Sequence, residues 1–268
     1  MNTSSPADRH WHREPFISKP VLRWGFWSAL LIYLALAIGS MDINWSRVME
    51  GIPRGMNFII SFFPPDFTSR SDAILDGILE SLWMTVTSTV VGILISIPVG
   101  IGAARNLSVL PVYYICRGII ALSRTFPEII LAIFFVKLFG FGPFAGFVTL
   151  SIATVGFYGK LLAEDIEDID KAQAEAIRST GCSWLQWLNY AIQPQVTPRA
   201  IGLAAYRFDI NFRESAVVGI VGGGGIGATL LTAFDRYEFE SAAAILLIII
   251  FIVMAVEYSS GWLRKWVQ

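Results

Sequence analysis

Asp170–Pro198 reads DKAQAEAIRSTGCSWLQWLNYAIQPQVTP, the longest run in the chain that cannot sit in lipid, and apolar sequence of membrane length flanks it on both sides. Residues 171–180 are rich in Ala, Glu and Gln and predict a helix. Gly181 breaks that helix as a left-handed turn residue does. Ser183 is placed to cap a second helix, in which Trp184, Leu185, Trp187 and Leu188 share an apolar face at i, i+3, i+4 spacing. Pro194 and Pro198 are expected to end it. Two short helices joined at a glycine, with an apolar face left over, make a docking element. A helix lying in the membrane interface is the alternative reading of the same pattern.

The flanks decide the class. Of 268 residues, 54% are hydrophobic and only 15% charged, with a mean hydropathy of +0.59, where a soluble domain carries roughly a quarter charged residues. That balance predicts an all-α, polytopic membrane protein. A net charge of −1 and a pI near 6.1 leave no basic face for nucleic acid. Cys116 and Cys182 have no metal-ligand neighbours, and His10 and His12 lie in the polar N-terminal stretch. No metal site, disulfide framework or histidine-dependent chemistry within the membrane is therefore expected.

A helix of about 20 residues crosses the hydrocarbon, and six such spans are expected, at residues 23–41, 78–103, 109–139, 144–163, 199–221 and 241–262. Residues 1–22 read as a cytoplasmic tail, 42–77 as an extracytoplasmic segment with aromatics at headgroup level, and 78–268 as the core. The basic tail and Ala35-x-Ala37 imitate a cleavable signal, but that pair lies inside the apolar run, so an uncleaved anchor is expected. Within 109–139, too long for one straight span and interrupted at Ser123-Arg124-Thr125-Phe126-Pro127-Glu128, the helix is expected to be tilted, or broken near Pro127. Six spans place both termini and residues 170–198 on one side. Arg9, Arg13, Lys19, Arg23, Arg105, Lys171, Arg178, Arg264 and Lys265 fall there, against Arg47, Arg54, Arg70 and Arg236 on the other, so that side is cytoplasmic by the positive-inside rule.

Charges inside spans are costly and mark function by default. Arg207, Asp209, Arg213 and Glu214 lie in the fifth span, Asp209 and Arg213 as an i, i+4 pair, with Arg207, Asn211 and Glu214 on an adjoining stripe. Ser123, Arg124 and Glu128 mark the third span similarly. These residues either pair internally to fix helix contacts or form a polar wall along the passage of a small anion, for which the guanidinium fork suits phosphate-like oxygens. Gly222-x-Gly224-x-x-Gly227 has the letters of a dinucleotide fingerprint but follows a membrane span rather than a strand. Gly222, Gly223, Gly224 and Gly225 are read instead as a mobile gate loop between the fifth and sixth spans. Ser123 and Ser215 have no His or Lys placed to activate them, so no catalytic residue is assigned and an intramembrane hydrolase is disfavoured.

Glu175-Ala176-Ile177, then Gly181, then Ala191-Ile192-Gln193-Pro194 resembles the "EAA…G…IxLP" loop of ATP-binding-cassette (ABC) importer permeases. It departs from that pattern at Ile177, Ala191 and Gln193. The stretches at 123–128, 140–170 and 193–231 are similar to the phosphonate transport permease branch. The resemblance implies six transmembrane helices of the type I importer permease fold, with residues 170–198 as the cytoplasmic coupling-helix loop. It implies ATPase coupling through Glu175, Ala176, Ile177, Gly181, Cys182 and Ser183. Implied partners are a second permease copy or a paralogue, two cytoplasmic ATPase subunits that carry ATP and Mg, and a periplasmic binding protein. By the same resemblance this chain is expected to hold no cofactor of its own and to be a non-catalytic subunit. The implied location is the bacterial inner membrane, and the implied cargo a phosphonate, phosphite or hypophosphite. A methionine- or metal-type permease is the alternative, and an ATP-independent channel a remote one.

Overall fold

The computed structural model describes residues 19–41 and 44–267, except for the side chains beyond Trp262. Most of the tail expected over 1–22, with Arg9 and Arg13, lies outside the described residues, as do the side chains of Arg264 and Lys265. The chain divides into two compact units, Met1–Phe58 and Ile59–Gln268.

In the first unit, α1 (Pro20–Ser40) starts with proline at its N-terminus, where the missing N–H costs nothing. Its 21 residues reach about 32 Å at 1.5 Å per residue, enough to cross a hydrocarbon layer of about 30 Å. Beyond Arg23 it is apolar on every face and none of its residues is buried, the signature of a helix whose solvent is lipid. The second helix, α2 (Trp45–Ile60), is amphipathic, with Arg54 and Glu50 paired at 3.4 Å on its polar face.

The second unit is a helical bundle. Its first helix, α3 (Ser71–Ala103), begins ahead of the span expected at 78–103, and Asp72 sits in the first turn, where the helix dipole favours a carboxylate. Just ahead of it, the Asp66 carboxylate accepts the Thr68 N–H at 2.8 Å, the Thr68 hydroxyl at 2.7 Å and the Ser69 N–H at 3.2 Å. Hydrogen bonds from Ser69 and Thr68 hold its pKa well below the usual carboxylate range. An Arg70–Glu238 ion pair and the Asp66 N–H on the Glu240 carbonyl tie this loop to the start of the last helix.

The next pair, α4 (Leu110–Thr125) and α5 (Glu128–Phe139), meets at a 90° bend at Phe126-Pro127. Proline has no N–H for a continuing helix, and it drives Phe126 into the extended conformation seen there. The bend lies where the Ser123–Glu128 run predicts it. Helix α6 (Pro143–Glu167) runs parallel to α3: Met84 lies by Gly146, Gly92 by Thr154 and Gly100 by Leu162. Small residues along this seam bring the two backbones close, the usual way membrane helices gain packing. Hydroxyls of Thr85, Thr89, Ser96 and Thr149 satisfy themselves on carbonyls four residues back.

A hairpin follows, made of α7 (Lys171–Arg178) and the single turn α8 (Trp184–Trp187). Beyond α8 the chain continues through a π turn, Leu188–Ile192, into α9 (Gln193–Val218) and a second π turn, Gly219–Gly223, which is kinked at Gly222. Here the structure corrects the expectation that Pro194 and Pro198 end a helix. Pro194 occupies the first turn of α9, where no N–H is required, and Pro198 lies inside the helix. The Tyr190 carbonyl has no N–H at Pro194 to receive. The wide turn before it, closed by the Gln193 N–H on the Leu188 carbonyl, absorbs the missing rung.

The second correction is α10 (Gly225–Asp235), a helix where the sequence reading has only a connection before the last span. Ile226, Leu230 and Ala233 bury one of its faces against Ile74, Ala242 and Ile245, and that burial holds it helical. The last helix is α11 (Phe239–Val267). Among the described residues, α1, α3, α6 and α11 are each long and apolar enough to cross a membrane. The bent pairs α4–α5 (90°) and Trp184–Gly223 with α10 (55°) bring the number to six when each is counted as one span. No strand occurs among the described residues. The expected fold class, an all-helical polytopic membrane protein, therefore holds.

Candidate functional site

Helix α9 carries the charges, and its 3.6-residue period sorts them. Arg207 and Glu214, seven apart, lie on one face with Val217 and Val218, while Asp209 and Arg213 lie on another. The Arg207 side chain is 2% exposed. Its Nε donates to the Thr154 hydroxyl at 3.1 Å, and its Nη2 faces Glu128 at 3.4 Å and Glu214 at 3.3 Å. The guanidinium stacks 5.3 Å from the centre of the Phe157 ring. Thr154 is saturated: its hydroxyl donates to the Leu150 carbonyl at 2.6 Å and accepts from both Arg207 and Asn211. Asn211 also donates to the Thr89 hydroxyl at 2.8 Å, so one polar chain links α3, α6 and α9. Asp209 and Arg213 form the expected i, i+4 pair at 3.0 Å.

The structure brings Ser123, Arg124, Glu128, Arg207 and Glu214 to the wall of a single cavity of about 460 Å³, completed by Phe126, Phe157 and Val217 among others. Asp209 and Arg213 do not line it. Arg124 ends α4 and Glu128 begins α5, so each complements the dipole of its own helix. Four residues apart in sequence, they make no ion pair with each other, because the 90° bend separates them. Glu128 turns to Arg207 instead. Arg124 is exposed and makes no ion pair among the described residues. Gly156 sets its position, since a Cβ there would lie 2.6 Å from Ser123 Oγ and 2.9 Å from Arg124 Cγ. Ser123 is pinned on the same side by donating its hydroxyl to the Ile152 carbonyl.

At the far end of α9 the glycine run expected as a gate loop folds into a packed turn. Gly222, Gly224 and Gly225 take φ of +100°, +80° and +73°, a left-handed region that side chains disfavour. The Gly225 N–H donates to the Glu80 carboxylate at 2.7 Å and the Ile226 N–H to the Ser81 hydroxyl at 2.9 Å, capping α10. The Gly222 carbonyl accepts from the Gly142 N–H at 3.0 Å. Sequence reasoning missed Glu80 and Ser81. The signal was Glu80 itself, an acid set among the apolar residues of α3.

At the opposite end the hairpin is stiff. Asp170 caps α7 by accepting the Ala172 N–H at 2.9 Å, and Gly181 turns with φ +78°. Ser183 and Gln186 form a reciprocal capping box on α8. Trp187 is buried, and its indole N–H donates to the Ala174 carbonyl at 2.8 Å, joining α8 to α7. Arg178 stacks on the same indole at 5.3 Å. Ala174, Trp187, Ala191 and Ile192 pack on Tyr158, Leu162 and Ile166 of α6. Glu175 and Ala176 are exposed, while Ile177 and Cys182 are half-buried behind them. Trp184 and Leu185 stay exposed at the tip, an apolar surface held on a rigid support.

Comparison with known proteins places this architecture. The chain is 36% identical over 246 residues to the phosphate-import permease protein PhnE of Mycolicibacterium smegmatis, covering 91% of this chain and 46% of that protein. The chain thus spans about half the length of that relative. It is 37% identical over 229 residues to the phosphite transport system permease protein PtxC of Stutzerimonas stutzeri, covering 85% of this chain and 82% of the relative. An inward-facing structure of the MetNI methionine ABC transporter aligns with a TM-score of 0.64 at 23% identity, covering 73% of this chain and 96% of that one, a likeness of fold. Residues 96–268 match the family described as the binding-protein-dependent transport system inner membrane component. The charged cavity and the capped hairpin thus sit in a multi-pass inner-membrane permease, and the chain belongs to that family of binding-protein-dependent transport components.

Proposed function

We propose that the chain is the membrane subunit of an ATP-driven importer for a small phosphorus oxyanion: a phosphonate, phosphite or hypophosphite. A second copy or a paralogous permease, two cytoplasmic ATPase subunits holding ATP and Mg, and a periplasmic binding protein complete the machine. Both termini then face the cytoplasm. One observation carries the reading. A helical rod, running from Trp184 to the kink at Gly222, bears the exposed apolar tip at one end, Arg207 and Glu214 midway, and the glycine turn at the other. Movement imposed on the tip is delivered to the cavity wall by the same helix.

In this scheme the α7–α8 hairpin, with Glu175, Ala176, Ile177, Gly181, Cys182 and Ser183, is the coupling element that docks on the ATPase. Closure of the ATPase pair draws the hairpins together, and the bundles open outward. The binding protein then releases its anion past the Gly222–Gly225 gate toward Arg124. Hydrolysis resets the inward-facing state. The cargo assignment leans on the phosphate- and phosphite-named relatives together with a guanidinium, Arg124, left without a carboxylate partner in the cavity.

The test is reconstitution of the chain with its ATPase and binding protein in liposomes. Uptake of labelled methylphosphonate or phosphite is expected only with ATP and the loaded binding protein. ATP-independent flux, or transport of methionine in their place, would refute the assignment.

A further inference from the structure

At the end of the bundle read as cytoplasmic, the α3–α4 turn, the end of α6 and the α7–α8 hairpin enclose a second cavity of about 410 Å³. Three cations line it, Arg105, Lys171 and Arg178, and among the described residues none of their side chains makes an ion pair. The acids nearby do not account for them. Glu167 is already engaged: its Oε1 accepts from the Arg117 guanidinium at 2.9 Å and from the Arg105 backbone N–H at 2.8 Å. Glu175 follows Lys171 by four residues, the order in which an i, i+4 pair is weaker, and no ion pair joins them. Asp170 caps the Ala172 N–H and is not part of the wall. With Glu167 and Arg117 cancelling, three cations face the single carboxylate of Glu175, a surplus of two positive charges.

Two of the cations are held ready for a guest. Lys171 opens α7, whose first turn contains no acid, so its charge meets the positive end of the helix dipole and gains from an anion beside it. Arg178 stacks on the Trp187 indole, 5.3 Å from its centre. Stacking occupies the face of the guanidinium and leaves its in-plane N–H donors open to the cavity.

We propose that this cavity is a site for a phosphate-type group, with the Arg105 and Arg178 forks and the Lys171 ammonium donating to its oxygens. Guanidinium forks match the edges of a tetrahedral oxyanion, and the surplus charge offsets that of the guest. Two sources present this chemistry at the membrane surface. One is the phosphate of an anionic phospholipid, since the exposed apolar Val109 and Leu110 bring lipid up to the α3–α4 turn. The other is a free phosphorus oxyanion in the aqueous phase. A group bound by all three side chains ties α7 to the α3–α4 turn, so occupancy stiffens the hairpin against the bundle. The site shares no residue with the Arg124 cavity and does not depend on which anion crosses the membrane.

The full chain is placed in phosphatidylcholine nanodiscs without ATPase subunits, which bind phosphate themselves, and titrated with labelled inorganic phosphate. A parallel set contains phosphatidylglycerol, and the phosphatidylglycerol retained on the chain is counted by native mass spectrometry. Arg105→Gln with Lys171→Gln removes two charge-assisted donors and should weaken the bound probe at least about tenfold. Arg124→Gln controls for phosphate held in the membrane cavity and should leave the Lys171-dependent component within about twofold. Phosphate that binds and is not displaced by phosphatidylglycerol identifies a free oxyanion as the guest. Phosphatidylglycerol that is retained, and displaces phosphate, identifies a lipid headgroup. On the unaltered chain, either guest should slow amide hydrogen exchange over 171–178 severalfold. Binding of both probes unchanged in the double variant, or exchange that neither probe slows, overturns the site. The exchange measurement needs no variant, so a misfolded one does not weaken the test.

Discussion

Replacing Arg207 by methionine separates a structural guanidinium from a ligand-facing one. Removing one partner of a buried ion pair costs about 3–5 kcal/mol, because the other charge is left uncompensated. Here two carboxylates are orphaned, but each keeps roughly a quarter of its surface in the cavity (29% and 26%), and solvent recovers part of the loss. The hydrogen bond to Thr154 adds only about 1 kcal/mol, since that hydroxyl still receives Asn211. A net destabilisation of about 2–4 kcal/mol follows, measured by denaturant unfolding in mixed micelles. Most of it is the penalty of unpaired acid, so Arg207→Met combined with Glu128→Gln and Glu214→Gln should be more stable than Arg207→Met alone. Arg207→Lys should fail to restore the wild type, because an ammonium cannot serve Thr154, Glu128 and Glu214 from one planar fork. Arg124→Met, at an exposed residue without an ion pair, should unfold within about 0.5 kcal/mol of the wild type. A single variant at 207 that unfolds like the parent, or a triple variant no better than the single, would refute the reasoning.

Three other outcomes are expected. Gly181→Pro forces φ from +78° to about −65°, breaking the hairpin turn; reconstituted protein should hydrolyse ATP without stimulation by the binding protein, and normal stimulation would count against the docking role. Glu80→Gln exchanges a charge-assisted bond to the Gly225 N–H for a neutral one, so amide hydrogen exchange over 219–228 should quicken severalfold, roughly the equivalent of 1 kcal/mol; unchanged exchange would mean that packing alone holds the turn. Gly156→Ala drives a methyl into Ser123 and Arg124, which should cost about 1–3 kcal/mol as overpacking does and slow uptake; wild-type values for both would show that α4 gives way freely.

What sequence reasoning could read, and what it could not, follows from separation along the chain. The Gly181 turn, the Ser183 cap, the Asp209–Arg213 pair and the break at Pro127 were legible because each is decided within a few residues. Spacing alone misleads at Arg124 and Glu128, where four residues promise a pair and the bend removes it. Arg207 finds Glu128 from another helix and Thr154 from a third, and nothing near Arg207 in sequence announces either. Pro194 was misread because proline stops a helix only where an N–H is needed, and the first turn of α9 needs none; Pro198 stands inside the helix, which runs on through it. The caps on the glycine run, Glu80 and Ser81, come from α3, and nothing near Gly225 in sequence announces them.

The two π turns have a mechanical consequence. Each is a stretch of weakened backbone bonding where a helix bends in preference to its interior, and they stand at the two ends of α9, at Leu188–Ile192 and Gly219–Gly223. Bending stiffness is therefore highest in between, over the turns that carry Arg207 and Glu214. Under load the rod yields at its ends, and the spacing between those two side chains is conserved while the whole segment travels.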